Sequence, residues 1–503
     1  MKISIIGSGL SGLTAAALLS KQGHSVTVFE QHKKVGGVTA SIKKDGYTWD
    51  LGPMILPDLA EDEPGGLIFK KLGIESRVKT KQSYREYSFP DYRIKREKEC
   101  TNPQWVKDKL KSIFPDESKG LDSYYRYHEK VMDINALQTK GGLFNIAKLL
   151  IKYFSLGKKK SWSAQDLVDY YFKDKKLKAF FISILADYVC STSDFPGIAI
   201  PVINSTVEFD ERTPLDFGNH EHRSSWRVIE NGTITLVDAL VDVIEDYGGK
   251  IITEAAVEKI RIEDGKAVGV EYNDGKNESC DIVIASGGLK NLFERMVGYE
   301  YLTDEFIEKH LADPSLTESV FMLNLGVDYD AAKLQNNSPI CYYYNTYDVD
   351  NSIKECKEGI YHKGDDGFLV YIFSAHSKDM APKGYQSMQV YTIAPNNPVN
   401  GDWEKNKEEW ADHLLGLAEK HFPDLRKHIE TKVILTPKDF QNRTHLDFHS
   451  FGGCTPNIHV SPPNHKTPIE NLWFVGAQSN SFGGVTGAMT GADRVVIEIL
   501  KEK

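Results

Sequence analysis

Cysteine is scarce in this chain: six among 503 residues, at Cys100, Cys190, Cys280, Cys341, Cys356 and Cys454. No two of them form a Cys-x-x-Cys pair. That spacing excludes the usual zinc frameworks and a disulfide-stapled fold, and predicts a reducing compartment. No uninterrupted apolar run reaches the roughly 18 residues that a membrane-spanning helix needs. Positive charge is also short. Lys and Arg number 61 against 71 Asp and Glu, a net charge of −10, which argues against nucleic acid as a general partner because phosphate binding needs a basic surface. No internal repeat or low-complexity stretch is visible. Met1-Lys2 passes directly into an apolar strand, so no cleaved leader is expected, and the predicted location is cytoplasmic or on a membrane face. Hydrophobic residues at 41% and charged residues at 26% are ordinary for a globular protein, with enough chain for two compact domains.

What is present is concentrated at the two ends. Met1–Gly7 reads as a short strand, followed by Gly7-Ser8-Gly9-Leu10-Ser11-Gly12, an Ala/Leu-rich helix to Gly23 and a second strand, Val26–Glu30. This is a Gly-x-Gly-x-x-Gly turn between a strand and a helix, with an acid at the end of the next strand, the pattern of a dinucleotide site. Gly7 permits the tight turn, Gly9 lets backbone approach a pyrophosphate, and Gly12 lets helix and strand pack closely. The free N–H groups at the helix start face the phosphates. Glu30, 23 residues after Gly7, is placed to take ribose hydroxyls. No second unit of this kind exists in the sequence. That favours a reaction in which substrate reduces the cofactor and oxygen, a quinone or another carrier reoxidises it; a redox-neutral reaction on the reduced cofactor fits equally.

More glycines surround this unit. They are Lys34-Val35-Gly36-Gly37-Val38-Thr39, Asp50-Leu51-Gly52-Pro53-Met54, and Asn471–Ala477 followed by Phe482–Ala488 and a closing helix. Together with Gly7–Gly12 and Glu30, these blocks resemble the phytoene desaturase group of FAD-dependent oxidoreductases, which includes carotenoid desaturases, carotenoid cis–trans isomerases and retinol saturases. The resemblance is dense over about the first 55 and last 35 residues and extends to Asn231–Val257 and Asp281–Gly288. It implies an α/β fold: a discontinuous Rossmann-like FAD-binding domain with an inserted α+β substrate domain. The expected FAD parts are residues 1–75, 225–295 and 460–503, and the substrate parts 76–224 and 296–459. The residues implied to hold FAD are Gly7, Ser8, Gly9, Ser11, Gly12, Glu30, Gln31, Gly36, Gly37, Val38, Thr39, Gly52, Pro53, Met54, Val257, Gly476, Ala477, Gly484, Val485 and Thr486. Two departures stand out. The family usually places Arg directly after the Gly-Gly pair, where this chain has Val38, and Gln478-Ser479-Asn480-Ser481 replaces a small residue, Thr and Gly.

Outside these blocks the sequence offers three features. Residues 141–157 read as a helix whose Leu143, Phe144, Ala147, Leu150, Ile151 and Phe154 form a stripe, widened by Ile146, Leu149 and Tyr153. Nine Lys and three Asp give residues 141–178 a charge of +6, so the helix suits a membrane interface, although packing on the protein's own core would use the same stripe. His445, Asp447 and His449 alternate and would share one face of a strand, as an acid/base group beside the flavin, as a metal site, or merely as a polar surface. No resident metal is expected. Tyr342-Tyr343-Tyr344 and Tyr347 read equally as a substrate tunnel or as a half-buried strand.

The leading expectation is an FAD-dependent enzyme that desaturates a lipophilic isoprenoid or carotenoid-like substrate, with peripheral membrane contact. A polyene isomerase or saturase using reduced FAD is the alternative within the same group. An amine oxidase is less well supported, since Ala477-Gln478-Ser479 lacks the acid those enzymes carry there. A non-enzymatic prenyl-protein escort would have no need of Glu30 or the glycine pairs.

Overall fold

The first apolar segment becomes the central strand of a five-stranded parallel sheet. In this computed structural model, Lys2–Ile6 is flanked by Ser25–Phe29 and Ile282–Ser286, with Lys250–Ile252 and Leu472–Val475 at the two edges. The structure describes residues 1–52, 55–83, 85–95, 102, 104–138, 143–208, 226–446, 453–481 and 483–502. Alternation along the strands sends side chains to two cores. Ile3, Ile5, Ile282 and Ile284 pack beneath the helices Leu10–Lys21, Ile234–Asp246 and Val485–Lys501. Ile6, Val283, Ala285 and Phe474 pack against a three-stranded antiparallel sheet, Val257–Glu263, Lys266–Tyr272 and Lys276–Ser279. The first two of these strands are the expected hairpin, turning at Asp264-Gly265, both with positive φ as the tight hairpin turn requires.

A seven-stranded sheet forms the second layer system. Its order is Ile429–Leu435, Ser319–Val327, Gln386–Ala394, Gly367–Ile372, Ile340–Tyr344, Arg85–Ser88 and Arg93–Ile94. One face, with Phe321, Leu323, Val370 and Val390, is covered by the helix Trp403–Glu419 through Trp410 and Leu414. The other face carries Tyr87, Tyr342, Leu369 and Tyr391 toward helices that include Ser118–Gln138, Lys175–Ile182 and Ile200–Glu208. Strand alternation therefore splits the tyrosine run. Tyr342 and Tyr344 share this face, whereas Tyr343 stacks on Phe368 behind the sheet and Tyr347 stacks on Phe89.

The lysine-flanked segment forms the helix Leu143–Ser155. Leu149 and Tyr153 pack on the protein core, but Phe144, Ile151 and Phe154 are 71%, 70% and 61% exposed. The core-packing reading of this stripe is thereby corrected: only its margin turns inward. Among the described residues no helix is long and apolar enough to cross a membrane.

Candidate active site

The strand–turn–helix at the N-terminus makes a cradle of bare backbone. A Cβ on Gly7, where φ is +89°, would stand 2.3 Å from the Ser286 carbonyl oxygen, and a Cβ on Gly12 would stand 2.1 Å from that of Gly7. Only glycine permits this contact of helix, turn and strand. Gly9 caps the helix Leu10–Lys21 without a side chain, so the helix's first N–H groups face open space. Glu30 is 6% exposed and organises the rim. Its Oε2 accepts from the Ser8 amide at 2.8 Å and from the Ser8 hydroxyl, while Oε1 accepts the His32 amide at 2.7 Å. A carboxylate has about four acceptor positions, so capacity remains for a ribose hydroxyl.

The Gly36-Gly37 turn folds back over Gly9, with the Gly36 amide donating to the Ser8 carbonyl at 2.9 Å. Val38 leaves no cation here from its own segment. Arg443 enters from the helix Pro437–Thr444 instead, its Nε donating to the Gly37 carbonyl at 2.6 Å and its Nη2 to that of Val35 at 3.3 Å. The C-terminal block closes the same space. Gly484, at φ +93°, starts the helix Val485–Lys501, and Gln478 accepts the Leu289 amide at 2.8 Å.

These parts border one cavity of about 540 Å³. Gly7, Gly9, Ser11, Glu30, Gln31, Gly36, Gly37, Val38, Thr39, Val257, Gly476, Ala477, Gly484 and Val485 all line it. Four expected residues do not. Ser8 is turned onto Glu30, Gly12 packs on the Gly7 carbonyl, Gly52 packs on that of Val38, and Thr486 donates to that of Pro57. Pro53 and Met54 lie outside the described residues.

The cavity continues past the cradle into a chamber walled by Ile184, Phe195, Ile203, Tyr342, Leu369 and Tyr391. Two charged residues that sequence reasoning missed, Arg85 and Asp187, stand in this wall. Burial raises the Asp187 carboxyl to about 6, and its Oδ2 accepts from the Tyr391 hydroxyl at 3.4 Å. Cys454 also borders the cavity, and burial pushes its thiol up to about 12. The strand expected through His445 is corrected. The helix Pro437–Thr444 ends there, with His445 in the left-handed conformation at φ +53° and its side chain exposed. Thr444 and Leu446, on either side of it, reach the cavity; Asp447 and His449 lie outside the described residues.

Comparison with known proteins agrees with this arrangement. The family model described as Flavin containing amine oxidoreductase matches residues 10–321. The chain belongs to this family. Over its whole length the flavin-containing oxidoreductase is 25% identical to a 4,4'-diapophytoene desaturase (4,4'-diaponeurosporene-forming) of Staphylococcus aureus (strain COL), of which the match covers 99%. An oxidoreductase structure from Methanosarcina mazei matches with a TM-score of 0.60 at 20% identity, covering 99% of this chain and 100% of that one. Cyclohexylamine oxidase from Brevibacterium oxydans IH-35A matches with a TM-score of 0.62 at 13% identity, covering 100% and 99%. The two structures share the fold, a Rossmann-like flavoprotein architecture. The protein is thus an FAD-dependent oxidoreductase of this family, similar over its whole length to a phytoene desaturase-like enzyme, and the escort reading falls. The cradle fits FAD on its own geometry: glycines where a Cβ would fill it, helix N–H groups facing it, and a buried acid at its rim.

Proposed function

We propose that this flavoenzyme desaturates an apolar isoprenoid chain, converting –CH2–CH2– to –CH=CH–. The observation that carries the reading is the continuity of one cavity from the glycine cradle into a chamber whose walls are largely aliphatic and aromatic. Gly7, Gly9, Ser11 and the helix start beyond them would hold the pyrophosphate, Glu30 the ribose, and Gly36, Gly37, Arg443 and the Gly476–Val485 segment the rest of FAD. The bound flavin supplies the acceptor for the hydride that leaves one carbon. The chain's own residues hold the substrate straight against that acceptor and keep water out, with Leu369, Ile203 and Phe195 as the apolar wall. The base for the proton from the second carbon would come from the stretch that carries His445, Asp447 and His449, in which Leu446 lines the cavity.

The relative named as a 4,4'-diapophytoene desaturase supports a lipophilic substrate of this class. Arg85 places a buried guanidinium in the chamber wall, which opposes a substrate ammonium, while Asp187 in the same wall offsets part of that charge. The exposed Phe144, Ile151 and Phe154 form the face that would rest in a bilayer, with Lys158 and Lys160 beside it for anionic headgroups. A membrane seat would give access both to a lipid-soluble substrate and to a quinone for reoxidation.

The test is to incubate the FAD-loaded protein with 4,4'-diapophytoene dispersed in vesicles, together with oxygen or a quinone. The expected result is absorption from a longer conjugated polyene, with flavin released intact on denaturation. A change of double-bond geometry without longer conjugation would convert the reading to an isomerase. Loss of conjugation from a polyene with reduced FAD would convert it to a saturase.

A further inference from the structure

Arg85 stands on the strand Arg85–Ser88, opposite Ile340 in the parallel pairing with Ile340–Tyr344, and its side chain enters the chamber wall. It is 5% exposed. Its Nη1 donates to the Tyr342 hydroxyl at 3.5 Å, the outer limit of a hydrogen bond, and its Nε is buried with no partner. The guanidinium carbon lies 5.3 Å from the Trp226 ring and 5.5 Å from the Tyr342 ring. Trp226 is itself fixed by donating to the Ser205 hydroxyl at 3.0 Å, so this aromatic seat is built. Yet no carboxylate among the described residues forms an ion pair with Arg85. Asp187, in the same wall, is near enough to feel its charge but is engaged by Tyr391.

Burying a guanidinium is expensive unless its donors are paired, and ring faces satisfy its charge only in part. An all-hydrocarbon ligand would leave the terminal Nη edge of the guanidinium, the part that faces the cavity, without a full set of acceptors. A carboxylate or carbonyl oxygen would accept from that edge. We infer that the chamber holds an apolar chain bearing an oxygen acceptor, a carboxylate foremost, at the end that meets Arg85. This rests on the reading of the chamber as a chain-binding site and sharpens its substrate class. Tyr342 and Tyr391 would bracket that end group beside the Arg85 donors, and the aliphatic wall would carry the chain toward the cradle.

The test is binding to the FAD-loaded protein of two near-isosteric probes, farnesoic acid and farnesene, read from perturbation of the flavin absorption band and from tryptophan fluorescence. The intact protein should bind the acid at least about tenfold more tightly than the hydrocarbon, the span of one charge-assisted pair. Arg85→Met should abolish that preference while leaving farnesene affinity within about twofold, and Arg85→Lys should retain part of it. Equal affinities in the intact protein would overturn the inference, as would Arg85→Met weakening both probes alike. If Arg85→Met does not load flavin, the preference of the intact protein and of Arg85→Lys decides. Flavin reduction by an isoprenoid hydrocarbon with no preference for the acid would sink this inference and leave the desaturase reading standing. A clear preference for the acid with no reduction by any isoprenoid would do the reverse.

Discussion

Where the cavity meets Gly7, Gly9, Gly36 and Gly37 its wall is backbone; where it meets Arg85, Asp187, Tyr342 and Tyr391 its wall is side chain. The first region is specified by what is missing, since a single Cβ at Gly12 would stand 2.1 Å from a carbonyl. Its donors are peptide N–H groups held by a helix and a turn, so they cost little reorganisation when a phosphate arrives. The second region is specified by what protrudes from one face of a sheet, and each protruding group can change without moving the strand beneath it. One architecture can therefore keep its cofactor while its substrate varies. That difference also sets how each region should fail.

The largest effect is expected in the cradle. Gly12→Val should drive helix and strand apart, weakening FAD binding by about 100-fold or more and costing about 3 kcal/mol of stability, measured by flavin content and denaturant unfolding. Arg443→Ala should weaken FAD by about tenfold, because it removes the cation that ties the Val35–Gly37 carbonyls, without changing the fold. FAD affinity unchanged within error would mean that Arg443 only props the loop. In the chamber, Leu369→Ala should leave FAD affinity intact and raise the apparent KM for an isoprenoid by about tenfold, since a buried side chain contributes about 1.5–3 kcal/mol. Loss of flavin from that variant would erase the distinction between the two regions. Replacing Phe144, Ile151 and Phe154 together by Ser should lower binding to anionic vesicles by about tenfold with flavin content unchanged, checked by co-sedimentation. The smallest effect belongs to Cys454. With its thiol pushed up to about 12 by burial, it stays protonated across the neutral range. Iodoacetamide at pH 8 should therefore leave it unmodified, and FAD should be released by denaturation rather than retained covalently.

The cradle was legible in the sequence because glycine spacing records φ and close approach directly. Glu30 was legible because its distance from the turn is set by one helix and one strand. Arg443 was not, since it meets Gly37 across 406 positions of chain, and nothing local marks a cation as a replacement for the one absent at Val38. Arg85 and Asp187 are single charges in ordinary elements that only tertiary packing brings to one wall. The tyrosine run announced which residues share a face but not which face borders a cavity, so Tyr342 reaches it and Tyr343 packs behind the sheet. The alternation of His445, Asp447 and His449 suggested a strand, yet a competing signal lies just upstream. Thr436-Pro437-Lys438-Asp439 is a capping box with Pro at the first helical position, and it starts the helix that ends at His445. For the helix Leu143–Ser155 the periodicity gave the stripe, but which part of it turned outward depended on what packed beneath.

The most direct measurement is an anaerobic titration of the FAD-loaded protein with an isoprenoid hydrocarbon and, separately, with cyclohexylamine, following the flavin absorption band. The account predicts bleaching by the isoprenoid, one flavin reduced for each double bond formed, and no change with the amine. Bleaching by the amine with none from any isoprenoid would contradict it, and would make the chamber an amine site despite Arg85.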